Sequence, residues 1–236
     1  LTALPFKPTG AQSRAIADCI ADMKSERSMN RLIQGDVGSG KTAVAAAVIY
    51  TAVKNGFQAA MMAPTEILAA QHFESLTKLF EGTDIKIALL TGSTKAKEKR
   101  EIKQSLIDGT IDFAVGTHAL IQNDVEFKSL ALVVTDEQHR FGVEQRASLA
   151  MKGSDPHMLV MSATPIPRTL GLIIYGDLDI SVLNELPPGR QTIRTDVVNS
   201  AYHQRIYKFI KKAIDEGHQA YIVCLLYTSP SPRDLS

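Results

Sequence analysis

The stretch that decides the fold runs from Arg31 to Lys54 and reads R-L-I-Q-G-D-V-G-S-G-K-T-A-V-A-A-A-V-I-Y-T-A-V-K. It opens as a short apolar strand, Arg31 to Gln34. It then turns through G-D-V-G-S-G-K-T, Gly35 to Thr42, which fits the pattern G-x-x-x-x-G-K-[ST], and continues as an alanine-rich helix from Lys41 to Lys54. Glycines at these spacings let backbone N–H groups converge on an anion, and the helix that follows adds the partial positive charge of its N-terminus. In such a cradle of Gly35, Asp36, Val37, Gly38, Ser39, Gly40, Lys41 and Thr42, Lys41 reaches the β- and γ-phosphates of a nucleotide and Thr42 offers a hydroxyl to Mg²⁺. A glycine-rich turn that merely caps a helix is the competing reading.

Outward from this core, brief apolar runs alternate with helical ones. Strands are expected at Arg31 to Gln34, Gln58 to Ala63, Ile85 to Leu90, Asp112 to Gly116, Leu130 to Thr135 and His157 to Ser162. They show little inside–outside alternation, as strands covered on both faces do. Helices are expected at Lys41 to Lys54, Thr65 to Phe80, Lys95 to Ile107, Val143 to Met151 and Ile166 to Ile174. Strict alternation of this kind implies an α/β fold with a mostly parallel sheet and helices on both faces. The segment Asn184 to Gln191, N-E-L-P-P-G-R-Q, interrupts both periodicities and reads as a linker after a lobe spanning residues 1–183. A strand (Thr192 to Val198), a helix (Ala201 to Glu216) and a strand (Gln219 to Cys224) then read as the β-α-β opening of a second lobe over residues 192–224. The Ser/Pro-rich residues 225–236 read as disordered or extraneous.

The strand Leu130 to Thr135 ends in Asp136-Glu137, two carboxylates at the C-terminal edge where open parallel sheets bind ligands. Alone, such a pair is more often a helix cap. Combined with the phosphate loop, Lys41, Asp136 and Glu137 make a magnesium-dependent hydrolysis site, with Asp136 and Thr42 as metal-holding groups and Glu137 as the base that orients water. A module that only binds nucleotide is the rival from another class, and it has no need of Glu137.

Composition narrows the rest. The 236 residues carry 26 Lys+Arg against 25 Asp+Glu, with 44% hydrophobic and 22% charged residues, which excludes an acidic tail or a disordered chain. A net charge of +1 gives no argument for nucleic acid from bulk charge, so such a partner must be read from local patches. Cys19 and Cys224 are isolated, which fits neither a disulfide framework nor a zinc site and suits a reducing compartment. The apolar run Ala43 to Val53 falls short of the roughly 18 residues of a membrane span, and no signal peptide opens the chain. A soluble cytoplasmic protein with no membrane partner is expected, and a first residue Leu1 in place of Met suggests a piece of something longer.

The string at the carboxylates is D-E-Q-H-R-F-G-V-E-Q-R, Asp136 to Arg146, and M-S-A-T-P-I-P-R-T follows at Met161 to Thr169. A D-E-x-H box paired with S-A-T resembles helicase superfamily 2. From Leu4 to Cys224 the chain closely resembles the first motor lobe of the RecG family of branched-DNA helicases. The resemblance is carried by L-P-F-K-P-T-G-A-Q, A-P-T-E-I-L-A-A-Q-H, V-G-T-H-A-L-I-Q and Y-G-D-L-D-I-S-V-L-N-E-L-P-P-G-R in addition to the stretches already quoted. Transcription-repair coupling translocases share H-R-F-G-V and T-P-I-P-R-T-L, whereas Gln138 and Gly176-Asp177-Leu178-Asp179 favour the RecG family.

The resemblance implies a RecA-like P-loop lobe that uses ATP and Mg²⁺ to remodel branched double-stranded DNA, such as stalled forks and Holliday-type junctions. It implies that Gln12 reads adenine, although Thr9-Gly10-Ala11-Gln12 also fits a capping box. Pro64 and Thr65, the turn Gly92-Ser93, and Gly116-Thr117-His118 are implied DNA contacts, directed to the backbone and therefore salt-sensitive. Thr65 also fits an ordinary N-cap, and the basic run Lys95, Lys97, Lys99, Arg100 and Lys103, interleaved with Glu98 and Glu101, also fits a solvated helix face. Gln138, His139, Ser162, Ala163 and Thr164 are implied to couple hydrolysis to DNA grip across the cleft, with a backbone-satisfied core histidine as the alternative for His139. A branch-splitting wedge domain and the rest of the second motor lobe, with its arginine finger, are expected elsewhere in the full protein. On that expectation the chain is a monomer that turns ATP over poorly by itself.

Overall fold

The computed structural model describes residues 8–136, 148–149, 151–164, 178–185 and 195–223. The chain divides into two compact units, Leu1–Arg190 and Gln191–Ser236.

The first unit is built on a seven-stranded sheet in which every pairing is parallel. Its strands are β1 (Asn30–Gly35), β2 (Gln58–Met62), β3 (Ile87–Leu90), β4 (Phe113–Gly116), β5 (Leu130–Asp136), β6 (His157–Ser162) and β7 (Asp179–Leu183), in the spatial order β3-β4-β2-β5-β6-β1-β7. The helices are α1 (Gly10–Met23), α2 (Lys41–Lys54), α3 (Glu66–Leu79) and α4 (Ala96–Asp108). The expected α/β fold is thus present. All five residues of β2 are buried: Ala59 and Met61 belong to the core under α1 to α3, and Ala60 and Met62 to the core under α4. Central strands therefore read as unbroken apolar runs, because each face has its own helical cover.

Two elements escape the periodicity of the sequence. Helix α1 buries mostly small side chains, Ala11, Ala15 and Cys19, with Ile16 as its one large apolar residue in the core, so its apolar stripe is weak. Strand β7 lies at the sheet edge with Val182 exposed, and an edge strand lacks the continuous apolar signature of the others. Arg31 of β1 ties both in. Its Nε donates to Asp22 Oδ2 on α1 at 2.6 Å and one terminal nitrogen to Ser181 Oγ on β7 at 2.9 Å.

Some elements end a residue or two from where the sequence puts them. Ile85 and Lys86 precede β3, which starts at Ile87. A short 3-10 turn, His118–Ile121, follows β4. Of the helices expected at Val143 to Met151 and Ile166 to Ile174, only 148–149 and 151 lie within the described residues, as helix and turn respectively.

The second unit departs further from expectation. Its helix is α5 (His203–Asp215), preceded by a 3-10 turn at Ser200–Tyr202. The strands expected over Thr192 to Val198 and Gln219 to Cys224 are absent from their described parts, 195–198 and 219–223. A strand needs a neighbour to take its backbone groups, and these residues are exposed, while α5 fully buries none of its own. The tail 225–236 and linker residues 186–191 lie outside the described residues.

Candidate active site

Apart from Gln12 on α1, the described candidate site residues of the first unit lie at or just beyond the C-terminal ends of its strands, and the strand order sorts them. The loop after β1 is the glycine-rich turn. Next to β1 is β6, ending in Ser162-Ala163-Thr164, and next to β6 is β5, ending in Asp136. Gln34 is in register with Ser162, and Asp136 with Met161. Beyond β5 come β2, β4 and β3 in turn, ending at Pro64-Thr65, Gly116-Thr117-His118 and Thr91-Gly92-Ser93. The candidate nucleotide loop and the three candidate DNA segments therefore fall on opposite halves of one edge, with Asp136 where they meet.

The loop has the backbone of an anion cradle. Gly38 (φ 79°) and Gly40 (φ 86°) both occupy the left-handed region that side chains resist. A Cβ on Gly40 would also fall onto the Gln12 side-chain nitrogen. Gln12 is only 4% exposed, and both ends of its amide are engaged. Its Oε1 accepts from Thr9 N at 2.9 Å, completing the capping box of α1, and its Nε2 donates to Ser39 O at 2.9 Å. The capping alternative is thus realised, and the same side chain grips the loop.

Lys41 Nζ donates to the carbonyl oxygens of Gly35 (2.6 Å) and Asp36 (3.0 Å). Ser39 Oγ is buried with no hydrogen-bond partner among the described residues, under a Gly35 that leaves no room for a side chain. An orphaned hydroxyl inside a left-handed glycine loop, beside a lysine on loop carbonyls, fits a phosphate-bearing ligand. Thr42 is the second residue of α2 and Asp136 ends β5, and a hydroxyl with a carboxylate is the hard oxygen donor set that suits Mg²⁺. Among the described residues no group of three or more His, Cys, Asp or Glu could hold a metal by itself.

Asp136 has a partner that the sequence does not announce. His72 Nε2 lies 2.7 Å from Asp136 Oδ2, with the side chains 12% and 13% exposed. His72 stands in the quoted run A-P-T-E-I-L-A-A-Q-H, and the available signal is its place on the buried face of α3 between Ala69 and Leu76. Glu137, Gln138 and His139 lie outside the described residues. Ser162, 1% exposed, bonds with Thr164: their hydroxyls are 3.0 Å apart, and Thr164 N donates to Ser162 Oγ at 3.2 Å.

On the other half of the edge, Thr65 Oγ1 caps α3 by accepting from Leu68 N at 3.2 Å, so the N-cap alternative is realised there. The turn after β3 is held by the next residue of α3, since Ser93 N donates to Glu66 Oε1 at 3.0 Å. Hydrogen bonds from the Ser93 side chain and backbone, then from the Gly92 backbone, with the Lys99 charge, keep the Glu66 carboxyl below its usual range. Lys99 Nζ donates to Gly92 O at 2.8 Å, so this member of the basic run serves the turn. Thr117 is buried and His118 starts the 3-10 turn after β4.

A family model described as DEAD/DEAH box helicase matches residues 9–173, which include the phosphate loop, the Asp136 carboxylate and S-A-T. The chain belongs to the DEAD/DEAH box helicase family. Within this helicase family it is 54% identical over 235 residues to the ATP-dependent DNA helicase RecG of Bacillus subtilis, a match covering 100% of this chain and 34% of that protein. A solved structure of RecG bound to a three-way DNA junction superposes with a TM-score of 0.85 at 48% identity, covering 96% of this chain and 31% of that one. A DEAD box protein from Methanococcus jannaschii, 23% identical, shares the fold with a TM-score of 0.58 over 75% of this chain and 50% of its own. The RecG resemblance read from the motifs therefore holds, and the chain spans about a third of the length of the RecG relatives it matches. Helicases of this family use ATP. Among the described residues no helix is long and apolar enough to cross a membrane.

Proposed function

We propose that this chain is the ATP-binding motor lobe of a RecG-type DNA helicase that remodels branched duplex DNA. The reading rests on one observation, the strand order that sets phosphate loop, S-A-T and Asp136 side by side and gathers the three candidate DNA segments on the adjoining half of the edge. Backbone N–H groups of Gly38 to Lys41 bind the phosphates, and Lys41 exchanges the Gly35 and Asp36 carbonyls for β- and γ-phosphate oxygens. Thr42 and Asp136 hold Mg²⁺, which when bound neutralises charge on the phosphates. Glu137 orients the attacking water and accepts its proton, and Gln12 meets the adenine. Gln138, His139, Ser162, Ala163 and Thr164 couple the hydrolysis site to DNA grip. Pro64, Thr65, Gly92, Ser93, Gly116, Thr117 and His118 face the DNA backbone, which makes binding sequence-independent.

The RecG structure bound to a three-way junction supports branched DNA as the partner. The wedge domain and second motor lobe of the full protein complete the activity, in a cytoplasmic monomer. The division of lobe, linker and second lobe at 183 and 192 belongs to the same reading. In the full protein, Lys41→Ala abolishes ATP hydrolysis and fork remodelling and leaves branched-DNA binding largely intact. Wild-type ATP hydrolysis in that variant overturns the assignment.

A further inference from the structure

His72 and Asp136 come from different layers of the lobe. Asp136 is the last residue of a buried central strand, and His72 projects from the middle of α3. Ala69 and Leu76, one turn to either side on the same face, are fully buried, so packing fixes the backbone that carries the imidazole. An ionised carboxylate only accepts hydrogen bonds. The 2.7 Å contact therefore places the proton on His72 Nε2 and makes the ring a donor to Oδ2. The effect is to select one rotamer of a carboxylate at a strand end, where its own backbone would leave it several.

We infer that His72 is a positioning residue that orients the Asp136 carboxylate for the divalent cation accompanying the nucleotide, a role that rests on the metal-holding assignment of Asp136 above. The chemistry is that of an outer-shell partner. A donor on one oxygen fixes the direction of the carboxylate before the cation arrives, so less ordering is left to occur on binding, and loss of such partners typically weakens metal affinity about 10–100-fold. Helix α3 is a suitable carrier because it is anchored elsewhere too: its first residue, Glu66, holds the turn after β3.

The test is the Mg²⁺ dependence of nucleotide affinity, read by titrating a fluorescent ADP analogue into the 236-residue chain at a series of Mg²⁺ concentrations and in chelator. In His72→Ala the Mg²⁺ concentration for half-maximal tightening rises about tenfold or more, as for outer-shell losses generally, and the affinity in chelator stays that of the wild type. His72→Gln, whose amide donates to the carboxylate, recovers most of the shift, and His72→Met, of similar length with no donor, does not. The Gln and Met pair decides the matter should the alanine variant not fold. A wild-type Mg²⁺ profile in the alanine or methionine variant, or equal weakening with and without Mg²⁺, overturns the inference. Asp136→Asn separates this from failure of the site itself. Its loss of Mg²⁺ dependence beside an unaffected His72→Met sinks only the role of His72, whereas full Mg²⁺ dependence in Asp136→Asn sinks the metal assignment and the inference together.

Discussion

The side-chain amide of Gln12 donates to the backbone carbonyl of Ser39 at 2.9 Å, so helix α1 is hydrogen-bonded directly to the phosphate loop. The other end of the same amide closes the capping box with Thr9. Removing either partner frays α1, and loss of a side-chain cap costs about 1 kcal/mol. Only Gln12→Ala also releases Ser39. Thr9→Ala and Gln12→Ala should therefore lower stability by similar amounts in urea denaturation, and nucleotide affinity should fall several-fold in Gln12→Ala alone. Equal nucleotide affinities in the two variants would reduce Gln12 to a cap.

Glu66 places a negative charge on the turn that the proposed function gives to a DNA phosphate. The Ser93 N–H that a phosphate would seek already donates to Glu66 Oε1. Glu66→Gln keeps an acceptor for that N–H and removes the charge. Non-specific duplex affinity of the full protein should rise several-fold at low salt, with the gain shrinking as salt is added because exposed charges are screened. Unchanged affinity across the salt series would place DNA away from this turn.

Particular residues show what was legible in the sequence. The phosphate loop, the β5 carboxylate and the parallel sheet follow from local pattern, because central strands buried on both faces and a glycine-lysine turn leave signatures within a dozen residues. Helix α1 and strand β7 leave weaker ones, the first through small core side chains and the second through one exposed face. The pair His72 and Asp136 lies 64 residues apart. No local pattern announces such a contact, which exists only once α3 packs over β3 and β4 of the sheet that also carries β5. The strands expected in the second unit failed for a related reason: a run with strand propensity forms a strand only when a neighbour completes its hydrogen bonds, and 219–223 lies exposed without one among the described residues.

Gly116 is required by its surroundings. A Cβ built there would fall onto the Leu90 carbonyl oxygen of β3 and crowd Leu120 on the other side. The residue also joins three strands at their ends, since Ala63 N donates to Gly116 O at 2.9 Å and Thr117 N to Leu90 O at 3.3 Å. Neither neighbour is the far end of a flexible side chain, so the strands themselves must shift. Gly116→Ala should destabilise the first unit by about 1–3 kcal/mol, the usual range for overpacking, read as a lower urea midpoint at unchanged slope. A midpoint within error of the wild type would mean that β3 and β4 separate freely.

His157 makes the stability of the lobe depend on pH. Its Nδ1 accepts from Met29 N at 2.9 Å, which only a neutral ring can do. Burial pushes its pKa below the ordinary 6.5, against the opposing pull of Asp155 and Asp22. The sign follows from proton counting. Below about pH 6.5 the unfolded chain takes up a proton that the folded chain still refuses, so stability falls as pH drops from 7, and the loss levels off once pH passes the lower folded value. His157→Asn supplies an oxygen that can accept from Met29 N and does not titrate. Between pH 7 and pH 5 the urea midpoint of the wild type should therefore fall further than that of His157→Asn, with the other titrating groups common to both. Parallel curves for the two proteins would show that the ring protonates without losing its hold on Met29.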